Sequence, residues 1–504
     1  MVMRIHAKVS VGYLQTLAVL AALVMASAAC SSDREPQATA DGDAAPAVSP
    51  GDAGGRSGGV SGGATGGTSG VSGVSGGLGG AGGTSRGEVM WQEPIEVDRG
   101  HAQRGPWRMN ESEFHFVDDP TVAYGKDGAI AVAWADQRAQ DIRFQRYNVA
   151  GEPQLDEPTN VSRSGDVFSW LPRMIVGGDD DLQVFILWQE IVFSGGSHGG
   201  EIYFARSSDG GETFSEPINL SNTEAGAGKG RLSRHAWHNG SLDLARADDG
   251  TLYAAWTEYE GNLWFSRSTD GGESFTAPEH VAGDERRQPA RGPTLAVAPE
   301  GDIYLAWTHG EDPQADIHIA ASGDEGRSFE QPRTVAAGRG HADGPSLAVD
   351  PEGTLHLAWA ESADGHGRGD TYHIRYARRG HDADDFEQAR LISRGEDERV
   401  ESVSFPSLDV DGDSGVYLLW ELFPDAAGRS RGLGFTHSMD GGDSFHTASV
   451  VPGTVDRRHG FNGSQQGLLM NKLAVDDTGR IAVVNSTFNR GRSSHIWLLL
   501  AEME

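Results

Sequence analysis

The chain has 504 residues, and 73 acidic against 41 basic side chains give it a formal charge of -32. A body this acidic repels phosphate backbones, which excludes a nucleic-acid-binding role. Cys30 is the only cysteine, so no internal disulfide forms, and beyond the first thirty residues no apolar run is long enough to cross a bilayer.

Arg4 and Lys8 make a basic start, Leu14 to Met25 is almost wholly apolar, and Ala26, Ser27, Ala28 and Ala29 lead to Cys30. This is an export signal with a small-residue exit. It resembles a bacterial lipoprotein signal, in which residues 1–29 are removed and the cysteine is acylated. Ser27 departs from the Leu, Val or Ile that such signals prefer there. The resemblance implies a lipid anchor on Cys30 as the only tie to a membrane, firm once two or three acyl chains are attached. Ser31 and Ser32 follow, with no Asp beside the cysteine, and by the same resemblance this implies the outer membrane. Residues 30–87 are dominated by Gly, Ser, Ala and Thr; they cannot bury a core and read as a flexible tether.

Residues 88–504 repeat themselves. PTLAVAPEGDIYLAW at 293–307 and PSLAVDPEGTLHLAW at 345–359 show the unit most clearly, and versions of it begin at Pro120, Pro172, Leu242, Pro406 and Asn471, seven in all. Each unit reads as two alternating strands joined by a Gly/Asp turn. A third strand follows, such as EIYFARS from Glu201, and then a fourth, such as SEPINL from Ser215. Four antiparallel strands repeated radially make the blade of a β-propeller. The seventh unit has Asn485 in place of the Trp that closes the second strand, and it ends with three strands. WQEPIEV at 91–97 matches FSEPINL at 214–220, so the N-terminal strand supplies the missing fourth and closes the ring. The expected fold is all-β: a seven-bladed propeller of four-stranded antiparallel blades, with six blades as the alternative count.

Between third and fourth strands one turn recurs: SSDGGETF at 207–214, STDGGESF at 268–275, SMDGGDSF at 438–445, and a weaker copy, SGDEGRSF, at 322–329. Gly permits positive φ, the Asp carboxylate accepts N–H groups that the turn leaves unpaired, and the final Phe packs between sheets. The motif is similar to the Asp-box, or bacterial neuraminidase repeat, of the sialidase superfamily. The resemblance covers Trp91 to the C-terminus. It implies a structural turn on the rim away from the central mouth.

In a propeller the loops entering the first strand and leaving the second gather around the central channel, where ligands are favoured. Asp136, Glu190, Glu258, Glu361 and Glu421 each follow a second-strand Trp, and blade IV has His309 and Glu311 there. The entry loops bring the opposite charge: Arg231, Arg234, His235, Trp237 and His238 before blade III, Arg286, Arg287 and Arg291 before blade IV, and Arg457, Arg458 and His459 before blade VII. Lysine occurs only four times, so arginine carries nearly all positive charge, and its fork suits bidentate capture of carboxylates. Such a mouth fits a carbohydrate, with mutual neutralisation of the two charges as the alternative.

AVAWADQR, 131–138, is similar to the sialidase strand that ends in a substrate-facing arginine, which makes Arg138 the matching residue. Three features depart from that superfamily. Asp118, Asp119 and Pro120 stand where it has Arg-Ile-Pro, the loop bearing its acid/base Asp is cut to Ala139 and Gln140, and its enzymes have six blades. Tyr259 beside Glu258 is the candidate for its Tyr–Glu nucleophile pair, and Asp136 with Glu258 for the carboxyl pair a glycosidase needs. DVDGDSG, 409–415, places Asp409, Asp411 and Asp413 at calcium-loop spacing, but Trp420 occupies the position of the bidentate Glu, so an Asp/Gly turn is expected and no metal or cofactor. The functional expectation is an envelope-anchored monomer that binds glycan or protein ligands at its mouth through Arg138, Glu190, Arg234, Trp237, Arg291, Glu361 and Glu421. A glycoside hydrolase is the alternative, and a structural part of an envelope complex the third reading.

Overall fold

The computed structural model divides the chain into two units, 1–81 and 82–504. It describes residues 87–503 except 104–110, 112, 114, 166, 179–181, 191–199, 223–229, 232–236, 239–241, 259–260, 284–287, 311–313, 336–340, 363–370, 394–399, 425–428, 464–470 and 490. Cys30 and the tether lie outside the described residues. No helix among the described residues is long and apolar enough to cross a membrane.

The described residues form seven antiparallel blades. Blade I runs Val117–Tyr124, Ile130–Asp136, Asp141–Tyr147 and Thr159–Asn160, from the channel outward. Blades II to VI repeat this order from first strands Ser169–Gly177, Leu242–Arg246, Ala290–Val297, Ala342–Val349 and Ser402–Val410. Blade VII has Leu473–Val475, Ile481–Asn489 and Ser493–Met503, and the N-terminal segments Val89–Trp91 and Ile95–Gly100 pair with its last strand. First strands of neighbouring blades touch around the whole ring, which places them at the axis. Side chains stitch those inner edges together: Leu295 N donates to Asp243 Oδ2 at 2.7 Å, Leu408 N to Ser346 Oγ at 2.9 Å, and Val475 N to Asp409 Oδ2 at 2.8 Å.

There is no single core. Alternation along each strand gives every sheet two apolar faces, and each face is buried against the next blade, producing seven apolar clusters. Trp134, Trp188, Trp256, Trp307, Trp359 and Trp420, one near the end of each of six second strands, are at most 1% exposed and fill six of these gaps.

The four Ser-x-Asp turns, at 207–214, 268–275, 322–329 and 438–445, lock the blades together at the end away from the face where second strands finish. In the first copy Ser207 Oγ donates to Asp209 Oδ1 at 2.7 Å and accepts Gly211 N at 2.9 Å, while Thr213 N and Oγ1 donate to the two Asp209 oxygens. The same bonds recur around Asp270, Asp324 and Asp440. Donation from the Ser328 hydroxyl and N–H and from Ser322 holds the Asp324 carboxyl at about 2. Each box also receives the preceding blade. Phe214, Phe275, Phe329 and Phe445 meet Phe144, Phe204, Phe265 and Tyr376 edge-on, with centroids 4.9–5.5 Å apart. Arg206 and Arg378 donate to the carbonyls of Gly271 and Gly441 in the next blade's box.

This explains the two glycines. Both have positive φ, but a Cβ on the second would lie 2.7 Å from the Phe204 ring at Gly272 and 2.0 Å from the Tyr376 hydroxyl at Gly442. At the first, the nearest neighbour of Gly271 or Gly441 is only the preceding arginine's mobile end. Glu325 therefore replaces that first glycine in the weaker copy, holding φ at +61°, while Gly326 is kept. Gly272→Ala should destabilise the propeller by roughly 2–5 kcal/mol, from left-handed backbone plus overpacking, as read by urea unfolding. A cost no larger than that of an exposed loop substitution would refute the socket.

Two histidine pairs stack inside the blades, His309 on His318 at 4.2 Å and His437 on His446 at 4.1 Å. Burial, helped by the partner ring, pulls His318 and His437 down to about 4. An unfolded histidine titrates near 6.5, so the unfolded chain takes up these protons first. The stability they contribute is full above pH ~6.5 and is lost as pH falls toward ~4. His437→Phe should make that acid-side decline shallower than in wild type across a pH series of urea melts.

Candidate functional site

First strands begin, and second strands end, at the face opposite the Ser-x-Asp turns, and the candidate mouth lies there. Asp136 caps its own turn, accepting the N–H groups of Arg138 and Ala139 at 3.0 and 3.2 Å, and Arg138 itself is exposed. Glu190 accepts the indole N–H of Trp188 at 3.0 Å and the Ser164 hydroxyl at 2.7 Å; burial raises its pKa. Glu361 does the same for Trp359 at 3.3 Å and pairs with Arg375 at 3.3 Å. In blades II and V the Trp-x-Glu spacing puts a carboxylate under the indole of its own strand; Trp256 and Glu258 of blade III share the spacing but not the bond. Glu258 accepts Asn262 Nδ2 at 3.0 Å across the loop that joins second to third strand. Glu421 is fully buried between Lys472 Nζ and Asn462 Nδ2, the latter at 2.8 Å. Asp136 and Arg138 share one turn; the other acidic candidates are each held by different partners. Tyr259 and Arg234 lie outside the described residues, as does the side chain of Trp237.

Sequence reasoning missed a bulge. In five first strands the register slips just before a proline, between Asp118 and Thr121, Trp170 and Arg173, Arg291 and Thr294, Asp343 and Ser346, and Ser404 and Ser407. The residue before the proline is left-handed each time: Asp119, Leu171, Gly292, Gly344 and Phe405, with φ from 50° to 61°. Three of the five are not glycine, and a Cβ in that region is strained. A bulge re-aims the side chain ahead of it. The readable signal was the x-x-Pro that opens these units.

The bulge assembles two clusters. Between blades IV and V, Arg291 is fully buried, donating to the Gly310 carbonyl with Nε 3.5 Å from Asp343 and Nη2 3.4 Å from His341. Asp343 also accepts the Thr308 hydroxyl at 2.8 Å. Between blades VII and I, Asp118 accepts the Ser486 hydroxyl at 3.1 Å and Gln137 Nε2 at 3.4 Å. Burial, then the charge of adjacent Asp119, raises the Asp118 pKa well above the ordinary carboxylate range. Such a carboxyl keeps its proton at a pH where an exposed one has lost it.

The calcium-spaced loop is a turn closed on itself. Asp411 accepts the N–H groups of Asp413 and Gly415 and the Tyr417 hydroxyl, and Asp409 accepts the N–H groups of Val410 and Val475. Each of those oxygens faces a donor of the protein.

No known protein family and no curated protein matches the chain. Solved structures do. A polysaccharide lyase of a new family, an ulvan lyase, is 12% identical, with 80% of this chain and 95% of that one covered at a TM-score of 0.50. A protein of unknown function from Dyadobacter fermentans is 13% identical over 82% and 99% at 0.45, and the α-L-arabinanase of Penicillium chrysogenum 10% identical over 81% and 98% at 0.43. Likeness at these identities is a likeness of fold, and the chain is a seven-bladed β-propeller.

Lys472→Met, which leaves Glu421 buried without its cation, should cost roughly 3–5 kcal/mol in urea unfolding. A loss under ~1 kcal/mol, as at a surface pair, would contradict the buried geometry.

Proposed function

We propose that this protein is a glycan-binding propeller of sialidase-like, Asp-box type, held at the cell envelope by a lipid on Cys30, with its ligand at the mouth. The observation that carries the reading is the bulge. Five first strands repeat one left-handed distortion at the same face, and it fixes Asp118, Arg291 and Asp343 among their inter-blade partners at the end of the blades where the mouth is proposed, Asp118 and Arg291 buried there. Strain repeated where ligands gather is a reason to look for a site. Solved propellers of this shape include a polysaccharide lyase, which supports a glycan over a protein ligand.

The full chain in detergent should bind members of a glycan array, and Arg291→Gln, if still folded by its melt, should weaken binding at least tenfold. Binding to protein ligands alone would overturn the proposal. The second reading, a glycoside hydrolase, is favoured by Asp118, whose raised pKa suits a general acid. Turnover of any glycoside that is lost in Asp118→Asn would establish it over the binder.

A further inference from the structure

The acidity of this chain makes an unpaired cation conspicuous. With 73 acidic side chains to 41 basic ones, arginines find carboxylates: Arg99, Arg206, Arg378 and Arg480 each pair with one. Arg431 and Arg457 differ. They lie at the face of the candidate mouth, where blade VI meets blade VII: Arg431 just before the third strand of blade VI, Leu433–Ser438, and Arg457 on the segment that leads into blade VII. Among the described residues, neither Nη of Arg431 and no side-chain nitrogen of Arg457 has a hydrogen-bond or ion-pair partner. Asp456, the carboxylate next to Arg457, is engaged by Arg458, whose Nε donates to it at 2.8 Å.

Arg431 is held in place. Its Nε donates to the Gly460 carbonyl at 3.0 Å, and its guanidinium lies over the Phe461 ring, 4.4 Å from the centroid. The backbone on either side is tied to blade VII. The carbonyl of Ser430 accepts the N–H of Asn462 at 2.9 Å, and that of Gly432 accepts Asn462 Nδ2 at 2.7 Å. Stacking occupies the flat face of the guanidinium and Nε one corner, so the two Nη groups remain as a fixed donor fork. Burial, and then the charge of Arg457, lowers the pKa of Arg431. Two cations that repel each other across a short gap are relieved by an anion that both can reach.

The rim of this fork is apolar. Phe461 and Val455 are 36% and 48% exposed, two of the five large apolar side chains exposed among the described residues. Val455 lies against Gly432, where a Cβ would come 2.5 Å from its Cγ1. Phe461 sits beside Phe488, its partner across the strands, with ring centroids 6.4 Å apart, and Arg429 covers the Phe488 ring at 5.0 Å. A donor fork edged by exposed apolar surface matches a ligand that carries an oxyanion on an apolar face. A sugar bearing a carboxylate or a sulfate has both parts.

We infer that Arg431 and Arg457 form the subsite at which the glycan is held by an oxyanion, a carboxylate or sulfate on the sugar, with the C–H surface of that unit on Phe461 and Val455. The inference rests on the glycan-binding reading. It places the anion in blades VI and VII, away from Arg138 of blade I, the arginine to which the sialidase resemblance points.

The test is a glycan array with neutral, uronate-bearing and sulfated members, probed with the full chain in detergent. The strongest hits should carry an oxyanion. Methyl-esterifying the carboxylate of a hit, or removing its sulfate, should weaken binding at least tenfold, and which of the two does so tells the sources apart. Arg457→Gln, which removes an exposed side chain without a partner, should leave the urea melt unchanged and weaken charged hits at least tenfold. Arg431→Gln should weaken them as much, and neither variant should move neutral hits by more than about twofold. Arg327→Gln, which removes an exposed charge at the opposite face, should change neither class. Neutral hits alone, or charged hits indifferent to Arg431→Gln and Arg457→Gln, would overturn this inference and leave the glycan-binding reading standing. An equal loss in Arg327→Gln would reduce the effect to net charge and overturn it as well. No glycan bound at all would overturn both.

Discussion

The contact between an aromatic ring and a glycine of the next blade governs this architecture. Radial sheets share no common core, so the ring stands only as firmly as its seven gaps. In four of them the Ser-x-Asp turn supplies a socket in which one turn accepts both the ring and the arginine of the preceding third strand. Blade I lacks the motif yet keeps the principle: Gly151 in its corresponding turn meets Ile95 and Leu500 of blade VII. The turn motif is therefore an interface element as much as a local one. Its carboxylate organises the loop, and the absence of a side chain at the second glycine organises the neighbour.

With the far end locked in this way, the mouth carries the irregularity. The left-handed bulges at Asp119, Leu171 and Phe405 are tolerated because each is bounded by regular pairing on both sides and by proline behind. The ladder beyond each bulge resumes its register, so the distortion stays local. What changes from blade to blade is the residue the bulge delivers: a carboxylate in blades I and V, arginine in blade IV, tryptophan in blade II, serine in blade VI. One backbone device thus presents different chemistry around a single face.

The architecture was readable because it repeats. Seven units, the three-stranded last blade and the match of WQEPIEV to FSEPINL implied that the N-terminal strand closes the last blade, and it does, with Ile95 opposite Leu498. The site was less readable, because spacing gives position and not partnership. Glu190 and Glu361 were found at the right end of their strands, but that they lie beneath the indoles two residues earlier depends on rotamers no repeat encodes. Asp118 and Asp119 read as a loss against Arg-Ile-Pro. Their burial against Ser486, 368 residues away in sequence, is a consequence of ring closure. Asn485 stood out only as a missing Trp; the amide chain that orients it needs Asn462 and Glu421 from other segments.

The seam in blade VII sets a timetable. Ser494 Oγ donates to the carbonyl of His101 across 393 residues, and Asp98 of the same N-terminal strand accepts the indole N–H of Trp134 at 2.7 Å. Neither half of the last sheet is complete until the Ser493–Met503 strand exists, so the ring keeps free edges until that strand is made. Contacts of such span carry a high loop-closure cost and form late. Until then the Ile95–Gly100 strand is an open template, and its Glu96, Asp98 and Arg99 keep that waiting edge charged and poorly disposed to pair with a second chain.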